Sequence, residues 1–370
     1  MTKSKKKTEK KKTYKEIIAV ISWVTVIFLW ISAASVFIPP TSCRYFCILG
    51  LGFPFFLAVV VAMLLISLLL AFKKSWIPML GLVGCFFSIR DYCPVNIPSA
   101  PPKDALKIMS YNTLGFATST KDSVKEEGIL NYINQNDNDL FCFQEGGCTP
   151  QKLLHERVLP KLKKTMRYND TIKLHDGVIG CCSKYRIVKK EKLCEAESSA
   201  NGAGVFHVLL GEKDTLRLVN CHLQSMGLNQ DERNNYHNIV KNMKDKEIEE
   251  HSRLLLSKIS KASVPRSLQA DIVARYIERN SGKNIVVCGD FNDTPISYTH
   301  HRIHSTGLTD MYSATSNGIG RSFNRDAIFV RIDHMFCSDH WKPYSCRIDN
   351  TTNASDHYPI IGYLKRIKEK

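Results

Sequence analysis

Apolar residues are distributed along this chain in two different ways. The first ninety residues carry long unbroken runs. Residues 17–38 hold no charge and are rich in Val, Ile, Trp and Phe, and residues 45–72 repeat this after Pro39-Pro40. Both runs are long enough to cross a hydrocarbon core of about 30 Å. A third run, 76–89, follows Lys73-Lys74 and is short for a span, so it fits a third crossing or a buried or interfacial segment. No small-residue cleavage site follows the first run, which is also too long for the core of a signal peptide.

Beyond a Pro-rich stretch, 91–105, the pattern shortens to strand length. LKIMSYN (106–112) alternates and ends in polar residues, and LFCFQE (140–145) is a second strand. Further strands are expected at 177–183, 204–210, 216–222, 284–290, 332–337 and 359–364. A helix is expected over 121–136, with Val124, Ile129, Leu130 and Ile133 on one face. Residues 231–280 form a polar, helix-rich segment. Its second part, 267–279, aligns Leu268, Ile272, Ala274, Tyr276 and Ile277. Many strands with a few intervening helices predict one α/β (α+β) domain over 106–370, preceded by an N-terminal transmembrane helical anchor over 16–90.

Composition changes this picture mainly through charge. The 370 residues are 44% hydrophobic, which excludes a disordered chain, but 51 Lys+Arg stand against 35 Asp+Glu, a net +16. Residues 1–15 alone contain eight lysines and one glutamate. A lysine tail before an apolar run marks the cytoplasmic side, and Lys73-Lys74 after the second run marks it again. The tail therefore sets topology rather than binding nucleic acid. With three spans everything after residue 90 is extracytoplasmic; with two it is cytoplasmic. Thirteen cysteines include no CxxC pair of metal type between Cys142 and Cys346, and Cys142, Cys221 and Cys288 sit in apolar strands as buried thiols would.

Polar residues of chemical interest collect at strand ends. Asn112 closes the first strand, Glu145 the second and His222 a middle one. Asp290 and Asn292 lie in GDFN, Asp333 in RIDHMF, and Asp356 and His357 open the last strand. Each alone is a weak signal, since a turn, a satisfied core histidine or a surface loop explains it. Together they would converge on one sheet edge and suit a hard divalent cation with a phosphate ester. The cysteines and histidines are not spaced for a zinc site, and no G-x-x-x-x-G-K loop exists for a nucleotide.

The ordered set MSYN, FQE, VNCHL, GDFNDTP, RIDHMF and SDHYP resembles the endonuclease/exonuclease/phosphatase superfamily, which includes DNase I, abasic-site endonucleases, neutral sphingomyelinases and inositol-polyphosphate phosphatases. The resemblance implies a four-layer sandwich of two central β-sheets flanked by helices, acting on phosphate esters with Mg²⁺ or Mn²⁺. It implies that Glu145 is the principal metal ligand, with Asn112 beside it and Asp356 a further metal or water contact. Asp290 would activate the attacking water, Asn292 and His357 would contact the phosphate, and Asp333 would fix the His357 tautomer. His222 matches a second phosphate-binding histidine of the sphingomyelinase-like and phosphatase-like branches. Asp293 reads as a turn carboxylate.

Substrate identity stays open at this level. Lys161, Lys163, Lys164, Lys189, Lys190 and Lys192 are scattered, many on expected polar helix faces, and do not mark a nucleic-acid groove. An anchored enzyme suits a lipid or sphingolipid headgroup ester, while nucleic acid and inositol phosphates remain alternatives. A non-catalytic, membrane-tethered binding module is disfavoured because every expected site position carries a competent residue.

Overall fold

The computed structural model describes residues 3–120, 123–147, 154–162, 166–212, 214–227, 245–325 and 329–367. The first part of the expected helical insertion, 231–244, and Lys163 and Lys164 lie outside these.

Five helices precede the sheets: α1 (Lys3–Ala34), α2 (Phe46–Leu51), α3 (Phe53–Leu70), α4 (Trp76–Gly84) and α5 (Phe86–Tyr92). Two helical stretches, Thr13–Phe37 and Phe53–Leu70, are long and apolar enough to cross a membrane. Their outer faces are apolar too, with Val20, Val24, Phe28 and Ile31 on α1 and Leu65 and Leu69 on α3 exposed. A face of this kind has no favourable aqueous partner. The 76–89 segment is not one helix: it breaks at Cys85 into α4 and α5, each too short to span alone. Glycines let α4 lie against α1. Trp30 Nε1 donates to Gly81 O at 3.2 Å, and a Cβ at Gly84 would meet Trp30 Nε1 at 2.8 Å.

From residue 106 the chain forms β1 (Leu106–Asn112), α6 (Ser123–Gln135), β2 (Leu140–Gln144), α7 (Leu159–Leu162), β3 (Tyr168–Lys173), β4 (Val178–Ser183), β5 (Arg186–Glu195), β6 (Gly202–Leu209) and β7 (Thr215–His222). Then follow α8 (Asp245–Arg279), β8 (Ile285–Asp290), α9 (Tyr298–His304), β9 (Thr309–Asp310), α10 (Met311–Thr315), β10 (Asp333–Cys337), β11 (Trp341–Ile348) and β12 (Ile360–Arg366). One six-stranded sheet has the order β11-β12-β1-β2-β4-β3, the other β5-β6-β7-β8-β10-β9. β1 and β2 are parallel, as are β7 and β8; the other pairs are antiparallel.

The strand period of two sorts side chains between layers. On β1, Ile108 enters the core between the sheets with Cys142, Leu218, Cys288 and Met335, whereas Met109 faces out to Ile129, Ile133 and Leu162. On the far side, Val219, Val287 and Phe336 meet Val273 and Ile277 of α8. Helix, sheet, sheet, helix is the expected four-layer sandwich. A buried amide bridge ties the sheets together: Gln144 Nε2 donates to Asn220 Oδ1 at 2.7 Å, and Asn220 Nδ2 donates to Phe143 O and Gly180 O.

The structure sharpens three of the sequence expectations. Lys189, Lys190 and Lys192 lie on the edge strand β5, not on a helix. α8 runs unbroken through Pro265, because Ala262, Ser263, Arg266 and Ser267 around it are buried. That burial outweighs a penalty of about 3 kcal/mol for proline inside a helix. The buried face of α8 is Ala270, Val273, Ala274 and Ile277, with Leu268 exposed, and Val124 at the start of α6 is exposed as well.

Candidate active site at the carboxyl ends of the parallel strands

Parallel pairing places four strand ends together. Asn112 and Gln144 are register partners on β1 and β2, and His222 and Asp290 on β7 and β8. Asp333, which opens the antiparallel β10, is also opposite Asp290. The polar ends of both sheets therefore meet at one edge of the sandwich. Asn112 joins them, since its Nδ2 donates to Glu145 Oε1 at 3.0 Å and to Asp290 Oδ2 at 3.1 Å.

Glu145 follows β2 in a left-handed backbone conformation, φ 53°. A non-glycine residue there costs about 1–3 kcal/mol and persists only when its surroundings enforce it. The enforcing partner is a left-handed turn over Leu114–Ala117, whose Gly115 N–H donates to Glu145 O at 2.7 Å. Asn292 is left-handed as well, φ 52°, which asparagine tolerates. Its backbone N–H donates to Asp290 Oδ1 at 2.8 Å, and its side-chain amide donates to Leu223 O at 3.0 Å.

Two histidines flank Asp290. His357 Nδ1 lies 2.9 Å from Asp333 Oδ2, and its Nε2 lies 3.6 Å from Asp290 Oδ2. Burial alone would strip the His357 proton, but Asp333 and Asp290 outweigh it and raise its pKa to about 10, Asp356 adding to the effect. Burial lifts Asp333 to about 6 against the opposing charge of His357. At neutral pH the two are a charged pair, with both imidazole nitrogens donating. His222 differs. Its Nδ1–H donates to Ala200 O at 3.1 Å, and Asn201 Nδ2 stands 3.3 Å from Nε2. That Nε2 also lies 3.5 Å from Glu145 Oε1 and 3.9 Å from Asp290 Oδ2.

The structure thus brings Asn112, Glu145, His222, Asp290, Asp333 and His357 into one cluster, with Asn292 at its edge. Asp356 stands beside His357 and faces Arg325 at 3.7 Å and Ser355 Oγ at 3.4 Å. Asp293 is engaged by Thr294 N, Thr299 Oγ1 and Arg266, as a turn carboxylate would be. Sequence reasoning missed Asn201, Ser322 and Phe323. Asn201 holds His222, Ser322 Oγ receives the N–H of Asp333, and the ring of Phe323 meets His357 edge-on at 5.3 Å. Only strand pairing brings them there, and no local motif announces it.

A buried Asp290/Asp333/His357 group has the spacing of metal ligands. Glu145, one third exposed and bound to Asn112, adds a further carboxylate at the mouth. The donor set is mainly oxygen and suits a hard divalent cation.

A two-sheet sandwich with carboxylates, amides and paired histidines on one edge defines a phosphoester-hydrolase class of site. The chain belongs to the Endonuclease/Exonuclease/phosphatase family, whose model matches residues 109–357. A second model, described as a domain of unknown function, matches residues 15–92. No curated protein sequence matches the chain. Among solved structures, an endonuclease/exonuclease/phosphatase family protein from Bacteroides thetaiotaomicron is similar over 72% of this chain and 98% of its own, at 18% identity and TM-score 0.50. The human Nocturnin catalytic domain with bound sulfate is similar over 73% and 100%, at 14% identity and TM-score 0.50. At these identities the likeness is one of fold.

Proposed function

We propose that this protein is a membrane-anchored, divalent-metal-dependent phosphodiesterase that works by in-line attack of water. One observation carries the reading: Asp290 Oδ2 has three nitrogens around it, Asn112 Nδ2 at 3.1 Å, His357 Nε2 at 3.6 Å and His222 Nε2 at 3.9 Å. A carboxylate so placed can orient and deprotonate a water while the imidazoles hold the phosphate it attacks.

Glu145, with Asn112 beside it, would hold Mg²⁺ or Mn²⁺, and Asp356 is the further acidic neighbour. The cation supplies Lewis-acid stabilisation of the phosphoryl oxygens when bound. The chain's own residues do the rest. Asp290, steadied by Asn292 N–H and Asn112, takes the proton of the attacking water. Cationic His357, held by Asp333, donates to a phosphate oxygen as negative charge builds. His222, its Nδ1–H held by Ala200 O, donates Nε2–H to a second oxygen when both ring nitrogens carry a proton, and Asn292 keeps one amide hydrogen for a third. Positioning and electrostatics supply the rate, with no covalent enzyme intermediate.

The reading divides the chain into a basic tail (1–15), anchor (16–90), linker (91–105) and catalytic domain (106–370). The catalytic domain is extracytoplasmic in this account. Lys74 pairs with Glu16 at 2.9 Å, so the lysines share one end of the helical module. Phe37 on His301 and Gly50 against Ile296 O are at the opposite end, where the catalytic domain sits. The chain returns between these ends along α1 through α4 and α5, at most about 25 Å of helical rise over 17 residues with the break at Cys85. Positive residues on the cytoplasmic side then favour the sheets on the other. The substrate class favoured by this geometry is a phosphodiester presented at the bilayer, such as a lipid headgroup, ahead of nucleic acid or soluble inositol phosphates.

The test is a panel with the full chain in detergent or vesicles, offering sphingomyelin-type lipid, RNA, plasmid DNA and inositol phosphates with Mg²⁺ or Mn²⁺. Hydrolysis that needs the metal and disappears in Glu145→Ala, Asp290→Ala and His357→Ala is expected. Near-full activity in a folded Asp290→Ala protein would remove the base from this mechanism.

A further inference from the structure

We propose that Asp91, His300 and His304 form a second metal site, for a zinc-class divalent ion, that fastens the helical module to the catalytic domain. His300 and His304 are one helical turn apart on α9 and so share a face. Asp91 comes from α5, the last helix of the N-terminal module. One ligand atom from each lies within 4.8 Å of the others.

The surroundings are built for this purpose. His300 is buried, and its Nε2 lies 3.1 Å from Asp310 Oδ2. A carboxylate on one nitrogen fixes the tautomer and rotation of an imidazole whose other nitrogen binds a metal. Asp310 is itself fixed as the cap of α10, accepting from Tyr312 N and Ser313 N. The end of α5 is held from the other side, because Arg331 donates to the backbone carbonyl of Asp91. Among the described residues, no hydrogen bond or ion pair within 4.0 Å joins Asp91 to either histidine. The three donors therefore stand apart by more than a direct contact and less than 4.8 Å. A tetrahedral ion with bonds of about 2.0 Å separates its ligands by about 3.3 Å, so small side-chain movements close the site.

Donor type separates this site from the phosphate site. Two imidazoles and one carboxylate select Zn²⁺, Co²⁺ or Ni²⁺ over Mg²⁺, whereas the oxygen-rich set around Glu145 and Asp290 selects the hard ions. The consequence is mechanical. α9 begins directly after the loop that carries Asn292, and His334, the neighbour of Asp333, packs against His300 with ring centroids 4.8 Å apart. An ion here fixes α5 to the layer that backs the catalytic edge.

The experiment uses the full chain in detergent, stripped with EDTA and dialysed against Co²⁺, whose four-coordinate form gives visible d–d bands. Metal per chain is counted by atomic emission. The wild type and a Glu145→Ala/Asp290→Ala double variant are expected to show the bands and bind one tightly held ion. Asp91→Ala and His304→Ala, at partly exposed positions, are expected to lose both with unchanged circular dichroism. His300→Ala is less suitable because it strands Asp310 in the interior. Bands that survive Asp91→Ala and His304→Ala, bands that vanish only in the double variant, or no bound cobalt in the wild type would each overturn the proposal.

Discussion

Asn112→Asp is the sharpest perturbation of the candidate site. Asn112 donates one amide group to two carboxylates, at 3.0 Å to Glu145 and 3.1 Å to Asp290, and is fully buried. The substitution keeps the shape and turns the donor into a third acceptor. Two unit charges about 3 Å apart repel by about 5 kcal/mol at an effective dielectric of 20, and the new carboxylate has two such neighbours. Rotation and protonation relieve most of this, leaving about 3–5 kcal/mol, the usual cost of an uncompensated buried charge. At about 2–4 °C per kcal/mol for a domain of this size, the apparent melting point should fall by about 6–20 °C. Because a divalent cation between the carboxylates cancels the repulsion, added Mg²⁺ should recover much more of the loss in Asn112→Asp than it adds to the wild type. The assay is thermal unfolding of the full chain in detergent at fixed scan rate, in EDTA and in Mg²⁺. A variant melting within about 2 °C of the wild type in EDTA would show that Asn112 does not separate two carboxylates.

The pH dependence of stability follows from His357. Its pKa rises from 6.5 in the unfolded chain to about 10 in the fold, so its stabilisation is fully present below pH 6.5 and is lost as pH climbs towards 10. His357→Gln should flatten that decline in melting curves from pH 6 to 10, and parallel curves would contradict it. Asp333→Asn should leave the fold intact and cut kcat by about 10²–10⁴-fold, measured on whichever phosphodiester the panel yields. Asn220→Leu removes the acceptor of Gln144 and the donor to two buried carbonyls, and should cost at least about 3 kcal/mol in denaturant unfolding. Gly180→Ala would bring a Cβ within 2.1 Å of the buried Phe143 ring and should cost about 1–3 kcal/mol by the same measurement.

What was legible in the sequence depended on where a strand lies in its sheet. β1, β2, β4, β6, β7, β8, β10 and β12 are interior strands, largely buried on both faces, and their apolar runs stand out. The four strands missed, β3, β5, β9 and β11, are the four sheet edges. RIVKKEKLCE of β5 is mostly exposed, and edge strands are commonly charged, which guards against pairing with other chains and hides them from a hydrophobicity reading. The candidate site residues were visible for the converse reason. A polar residue closing an apolar strand is conspicuous, and Asn112, His222 and Asp290 each do so. Asn201 and Ser322 carry no such contrast, since they reach His222 and Asp333 only through pairing with distant segments. The His300/His304 pair lay one helical turn apart, but Asp91, the third member of the proposed site, stands more than two hundred residues earlier, in α5.

The central claim is that one edge of this sandwich hydrolyses phosphodiesters with a divalent cation. The direct measurement is turnover of bis-p-nitrophenyl phosphate by the EDTA-treated full chain, before and after Mg²⁺ or Mn²⁺, beside Glu145→Ala and Asp290→Ala. The expected result is no release of nitrophenolate in EDTA, release on addition of either metal, and none from the two variants. Metal-independent turnover, or undiminished turnover in folded Asp290→Ala, would contradict the account.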